Sequence, residues 1–325
     1  MPKIIAIGEA LVEIMRTERD RPLDRPALFA GPYPSGAPAI FASAAARLGA
    51  SVGFIGSVGD DPFGDCVAQR LAADGIDGAA LRRIPERLTG IAFVAYAGDG
   101  SRSFLFHLAD SAAAQVDLGQ IPSGYLDDAH HVHIMGSSLT FGEALRQACY
   151  AVAAQVHRQG GTVSLDPNLR PELMPVERIR AICQPIVDIA EIALPSGEEL
   201  IGLTGAPTPE RGARQLLDGG VRLVALKQGE RGSTLYTGDG ALHIPPFQVS
   251  EVDPTGAGDC YDAALVVALR EGHDLALAGA LANAAGALAT TRLGPMEGAA
   301  TREELLAFAA AQGRAMPSLA RGHNS

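Results

Sequence analysis

Short β-prone apolar runs alternate along the chain with longer stretches in which alanine and leucine recur at helical spacing. Residues 4–8 read as a strand, 39–48 as a helix, 52–58 as a strand and 64–74 as a helix. The rhythm returns with strands at 131–135, 162–166, 192–195 and 223–227, separated by helices at 142–159, 176–189 and 209–218. Strands joined by crossover helices at this spacing predict an α/β fold, a central mostly parallel sheet flanked by helices on both faces. Two stretches break the pattern. Residues 12–34 are polar and dotted with proline, and residues 90–107 alternate about a Gly98-Asp99-Gly100 turn, which predicts a hairpin. Antiparallel strands inserted into such a chain predict a small β-sheet lid over a site at the carboxyl ends of the parallel strands. A single domain over residues 1–312 with a terminal tail at 313–325 is expected.

Composition narrows the classes of function. With 47% hydrophobic and 19% charged residues in 325, the chain falls in the ordinary globular range. Its 26 basic against 37 acidic residues leave a net charge of −11, so phosphate backbones and anionic membranes repel it, and neither nucleic acid nor a membrane is expected as a partner. The opening apolar run ends at Gly8 and Glu9, too short for a secretory signal, and no run approaches the 18 apolar residues of a membrane span. Cys66, Cys149, Cys183 and Cys260 form no C-x-x-C pair, which fits neither a disulfide framework nor a zinc site and predicts a reducing, cytoplasmic setting.

The stretch most informative about chemistry runs from Val252 to Leu269. After Gly258 the apolar positions 261, 264, 265, 268 and 269 describe one buried helical face, and Gly272 stops it. Its first turn opens from Gly256-Ala257-Gly258, where free amides and the positive end of the helix dipole would cradle an anion. Asp259 beside that cradle suits a base that takes a proton from a hydroxyl while the cradle stabilises the phosphoryl group under attack. A tight turn followed by a helix-terminal carboxylate accounts for the same residues without any catalysis.

Asp253-Pro254-Thr255-Gly256-Ala257-Gly258-Asp259 resembles the C-terminal signature of the ribokinase-like (PfkB-type) carbohydrate kinases. The resemblance covers nearly the whole chain. Gly8-Glu9-Ala10-Leu11-Val12-Glu13 is similar to the family's opening strand, with Glu13 where a substrate-contacting aspartate is common. Residues 34–42 resemble its sugar-binding Gly-Gly-Ala-Pro-Ala-Asn segment, with Ser35 before Gly36 in place of a glycine and Ile40 in place of the asparagine. Arg102 falls where relatives hold an arginine over the substrate, and residues 165–171, with Arg170, resemble a segment of fructokinases and 2-keto-3-deoxygluconate kinases. Pro195-Ser196-Gly197-Glu198-Glu199 resembles the Asn-x-x-Glu motif, with Ser196 for asparagine and Glu199 implied to organise magnesium through water. Lys227-Gln228-Gly229-Glu230-Arg231-Gly232 looks like the Lys-x-Gly-x-x-Gly turn along the nucleotide, and Asn283 is implied at the adenine end. A monovalent cation, potassium being the candidate, would map to Asp253, Thr255, Ala289, Arg292 and Gly294.

The resemblance implies an ATP- and Mg2+-dependent sugar kinase, a homodimer through its lid, with a ketohexose (tagatose or fructose) as the first expectation. The Arg170 segment keeps 2-keto-3-deoxygluconate open. A nucleoside kinase stands third, because the lid offers only Tyr96, Phe104 and Phe106 as aromatics. A non-catalytic sugar sensor would have lost Asp259 or the cradle glycines, and both are intact. Other phosphate binders fit poorly: of the two lysines, Lys3 precedes Ile4 and Lys227 precedes Gln228, which excludes a P-loop, and Gly256-Ala257-Gly258 lacks the third glycine of a dinucleotide fingerprint. His130, His131 and His133 have no ligand-spaced carboxylate or cysteine and are expected to be structural.

Overall fold

A computed structural model describes residues 3–98 and 102–314. In chain order the elements begin β1 (Lys3–Ile7), β2 (Leu11–Arg16), β3 (Phe29–Ser35), α1 (Ala37–Arg47), β4 (Val52–Gly59), α2 (Pro62–Ala73), β5 (Asp77–Ile84), β6 (Gly90–Tyr96) and β7 (Arg102–His107). The middle of the chain supplies β8 (Ala129–Met135), α3 (Gly136–Thr140), α4 (Glu143–Arg158), β9 (Thr162–Asp166), α5 (Val176–Val187), β10 (Ile192–Ala193), α6 (Gly197–Thr204), α7 (Pro209–Asp218) and β11 (Leu223–Lys227). It closes with β12 (Ser233–Thr237), β13 (Gly240–Ile244), α8 (Ala257–Arg270), α9 (Leu275–Ala289) and α10 (Arg302–Ala311).

Nine strands form the main sheet in the order β13-β12-β11-β10-β9-β8-β1-β4-β5, parallel from β11 through β5 and antiparallel at β12 and β13. Both faces are covered, and the strand period of two divides the core. On β1, Ile4 and Ala6 pack with α1, α8 and α9, while Ile5 and Ile7 pack with α4 and α5 on the other face. The predicted parallel strands therefore read as mainly apolar runs, with the polar side chains of His131 and His133 bonded to Ser164 inside the core. The edge strands β5 and β13, with β12 beside β13, lie outside the predicted rhythm because their residues are partly exposed and carry no such run.

The two irregular stretches pair into one small sheet, β3-β2-β6-β7, with β2 parallel to β6 and antiparallel pairing on either side. The 90–107 hairpin is present as β6 and β7; Asp99 and Gly100 of its turn, and residues 315–325 of the expected tail, lie outside the described residues. This sheet stands over the carboxyl ends of β1, β9 and β11, where its side chains and theirs line one cleft. His131 and His133 serve the core: both bond Ser164, and His133 stacks on Phe41 at 3.9 Å between ring centroids. No described helix is long and apolar enough to cross a membrane.

Candidate active site

The cradle forms where an extended approach meets α8. Gly256 takes a left-handed φ of 79°, and a β-carbon there would fall 2.2 Å from the Pro295 carbonyl oxygen, so only glycine fits. Cys260 is the first residue to close the helical ladder, donating to Gly256 O at 2.9 Å, which leaves the preceding amides at the positive end of the helix. Asp259 follows in the first turn and is buried. Burial, aided by the charge of Asp166, pushes its carboxyl up to about 7 against the pull of Lys227 and Arg170.

Beneath the cradle lies a buried charge cluster. Lys227 Nζ donates to Asp166 Oδ2 at 2.8 Å and to the Asp262 oxygens at 3.1 and 3.2 Å. A β-carbon on Gly258 would touch that ammonium at 3.4 Å, so the lysine sits directly under the cradle. Burial holds the Asp262 carboxyl far above the ordinary carboxylate range, while Lys227 keeps Asp166 ionised despite its own burial. One ammonium thus stands between two buried carboxyls, and burial and the lysine push their proton affinities in opposite directions. Glu199 caps α6, accepting from Ser196 N at 2.7 Å and Leu169 N at 3.3 Å, and burial with the nearby Asp166 raises its carboxyl.

Two clefts meet at this point. The first, about 420 Å3, runs from Glu9, Glu13 and Ser35 past Arg102 and Arg170 to Gly256, Gly258 and Asp259. Glu13 Oε1 accepts from Ser35 Oγ at 2.6 Å, but its Oε2 is buried without a partner, and burial pushes the carboxyl up to about 7. Ser35, which departs from the family's glycine, thus orients Glu13, which departs from its aspartate. Ile40, the third departure, packs beside Gly256 and gives this wall an apolar patch. Glu9 accepts from Ser137 Oγ at 2.8 Å and from Ser138 Oγ, so its carboxylate is held rigidly at the end of β1. The guanidiniums of Arg102 and Arg170 stand 5.6 and 5.9 Å from the Phe104 ring centroid, and neither forms an ion pair among the described residues.

The second cleft, about 400 Å3, is lined by Gly229, Gly232, Phe247, Tyr261, Asn283 and Ala287 among others, and shares Lys227, Gly229, Pro254 and Gly258 with the first. A β-carbon on Gly232 would meet the Ile244 carbonyl oxygen at 2.2 Å, so the turn from β11 to β12 needs glycine there. Asn283 spends its amide donors on the Ile244 and Pro245 carbonyls, leaving its oxygen as the free end. Of the five residues expected round a monovalent cation, Asp253 gathers two: Oδ1 accepts from Thr255 N and Oδ2 from Gly294 N, both at 2.9 Å. Ala289 closes α9, and the Arg292 side chain turns toward Glu297 O and Glu304 instead.

Asp262, Glu9 and the phenol of Tyr96 belong to the site as well, and the sequence motifs do not single them out. Asp262 had a signal, a carboxylate three residues after Asp259 inside an otherwise apolar helix. Glu9 and Tyr96 had none, since their partners lie 128 and 157 residues away.

Residues 1–302 match the description "pfkB family carbohydrate kinase". A 2-dehydro-3-deoxygluconokinase of Bacillus subtilis (strain 168) is 31% identical over 283 residues, 86% of this chain and 87% of that protein. An E. coli protein provisionally named Ribokinase II, solved in complex with ATP and Mg2+, superposes with a TM-score of 0.90 at 40% identity over 96% of this chain and 100% of that one. The fructokinase from Vibrio cholerae O395, solved with fructose, ADP and calcium ion, gives a TM-score of 0.82 at 31% identity over 95% and 99%.

Proposed function

Since the chain belongs to the pfkB family of carbohydrate kinases and is a phosphotransferase acting on a sugar hydroxyl, we propose that it moves the γ-phosphate of ATP to a hydroxymethyl group of a ketohexose, tagatose or fructose. The observation that carries this reading is the meeting of the two clefts at Gly258 and Lys227, with Asp259 opening into the first. The sugar lies in the first cleft and ATP in the second. The hydroxyl oxygen attacks the γ-phosphorus, its proton passes to Asp259, the bond to the β,γ-bridging oxygen breaks, and ADP leaves. Amides of Gly256, Ala257 and Gly258 hold the charge of the transferring group. A carboxyl near 7 suits a base working near neutral pH.

In the sugar cleft the unpaired Glu13 Oε2 needs a donor, which a sugar hydroxyl supplies, while Ser35, Gly36 and Arg102 frame the same wall. The described residues contain no group of three close His, Cys, Asp or Glu ligands, which fits Mg2+ kept largely by water and phosphate. Glu199 and Asp166 would face its water shell, and the ion would neutralise the polyphosphate. Lys227, Gly229 and Gly232 would run along the phosphates, with Ser196 at the same edge and the Asn283 oxygen toward the base. We assign K+, where the cation is used, to the loop of Asp253, Thr255, Ala289, Arg292 and Gly294. Exposed Leu28, Phe29 and Leu105 on the lid support a homodimer through that sheet, testable by sedimentation.

A second reading, a 2-keto-3-deoxy sugar acid, is favoured by Arg102 and Arg170, whose guanidiniums both line the first cleft near Phe104 and would seat a carboxylate. An ADP-release assay with ATP, Mg2+ and K+ against ketohexoses, aldoses, 2-keto-3-deoxy acids and nucleosides decides between them. Turnover confined to the acids overturns the ketohexose reading, and ATP binding without turnover on any of them overturns the kinase reading.

A further inference from the structure

We propose that Tyr96 is a positioning residue that ties the lid to the phosphoryl cradle, so that the cradle is held in order only while the lid lies over the first cleft. The proposal rests on the kinase reading above. Tyr96 ends β6, and its hydroxyl leaves the lid to reach Asp253 Oδ1 at 2.9 Å and Thr255 Oγ1 at 3.2 Å. Its cross-strand partner on β7 is Arg102, whose Nη1 lies 3.3 Å from the same Thr255 Oγ1.

One assignment of protons satisfies the whole chain of contacts. Arg102 N–H donates to Thr255 Oγ1, the Thr255 hydroxyl donates to the Tyr96 oxygen, and the Tyr96 hydroxyl donates to Asp253 Oδ1. Asp253 is fully buried and also accepts from the amides of Thr255 and Gly294, so water cannot replace a lost donor without opening the loop. Thr255 immediately precedes Gly256, the left-handed residue that turns the chain into α8. Two lid side chains therefore grip the residue that aims the cradle amides. A cradle ordered without the lid would present the γ-phosphate to water, and tying its order to the lid separates transfer to sugar from hydrolysis.

Tyr96→Phe removes one oxygen and keeps the ring. The expected result is at least a tenfold loss in kcat, with KM for sugar and for ATP each within about threefold and Tm lower by no more than a few degrees, the cost of one donor lost to Asp253. Thr255→Val reproduces that loss, Thr255→Ser turns over at least fivefold faster than Thr255→Val, and the double variant is no slower than the slower single one, as members of one chain require. Amide hydrogen exchange at residues 254–259 is expected to quicken in Tyr96→Phe, a readout that needs no substrate. Wild-type kcat in Tyr96→Phe, multiplying losses in the double variant, or unchanged cradle exchange overturns the proposal. A wild-type enzyme silent on every sugar counts against the kinase reading instead, and cradle exchange then decides the latch alone.

Discussion

Asp259→Asn is expected to slow turnover by orders of magnitude and, at the same time, to stabilise the fold. The carboxyl rises from 3.8 to about 7 on folding, chiefly through burial. At about 1.4 kcal/mol for each pH unit, an ionised Asp259 costs the folded state on the order of 4 kcal/mol. The sign follows from proton binding. Below pH 4 the group is protonated in both states and costs nothing. Between about 4 and 7 the unfolded chain ionises while the folded one keeps its proton, so stability falls as pH rises, and above 7 the loss is complete. Asparagine is never ionised and escapes the whole cost, as a trade of stability for function predicts. The gain in urea-unfolding free energy from Asp259→Asn should therefore be near zero at pH 4, roughly half its full value at pH 5.5, and on the order of 4 kcal/mol at pH 8. In the same preparations kcat should fall by about 10² to 10⁴, the usual contribution of a general base. Wild-type kcat/KM should in turn lose about tenfold per pH unit below 7, since the ionised form is the active one. A variant that keeps a tenth of wild-type kcat, or a stability gain equal at pH 5 and pH 8, refutes the assignment of that carboxyl as a buried base.

Three further outcomes follow from the same geometry. Glu13→Gln should raise the sugar KM by about one to two orders of magnitude and leave the ATP KM unchanged, because a bound hydroxyl exchanges a charged acceptor, worth about 1.5–3 kcal/mol, for a neutral amide; equal changes in both constants would place Glu13 outside the sugar cleft. Lys227→Met should cost about 3–5 kcal/mol in chemical unfolding, since it strands Asp166 as a buried charge, and a loss under 1 kcal/mol would contradict the buried ion pair. Gly256→Ala should collapse kcat at least a hundredfold, as a β-carbon cannot coexist with the Pro295 carbonyl and the φ of 79°; a variant with wild-type steady-state kinetics would show that the loop tolerates rebuilding.

Much of the molecule was legible along the chain. Parallel strands buried on both faces are mostly apolar, so β1, β4, β8, β9 and β11 announced themselves despite the histidines of β8 and Ser164 of β9, and the crossover helices followed from alanine and leucine at helical spacing. The cradle was legible for a similar reason: backbone amides bind phosphate only where side chains stay out of the way, and that requirement writes the small residues Gly256, Ala257 and Gly258 in a row. The edge strands were not, because half-exposed residues carry no continuous run.

What only the tertiary structure decided is which groups share the site and in what state of charge. That Lys227 lies between Asp166 and Asp262, that Ser35 orients Glu13, and that Tyr96 reaches Asp253 across 157 residues depend on contacts no local period encodes. The same holds for protonation: Asp259 is an ordinary carboxylate in the sequence, and it becomes a base near neutral pH because the fold removes it from water and sets Asp166 beside it.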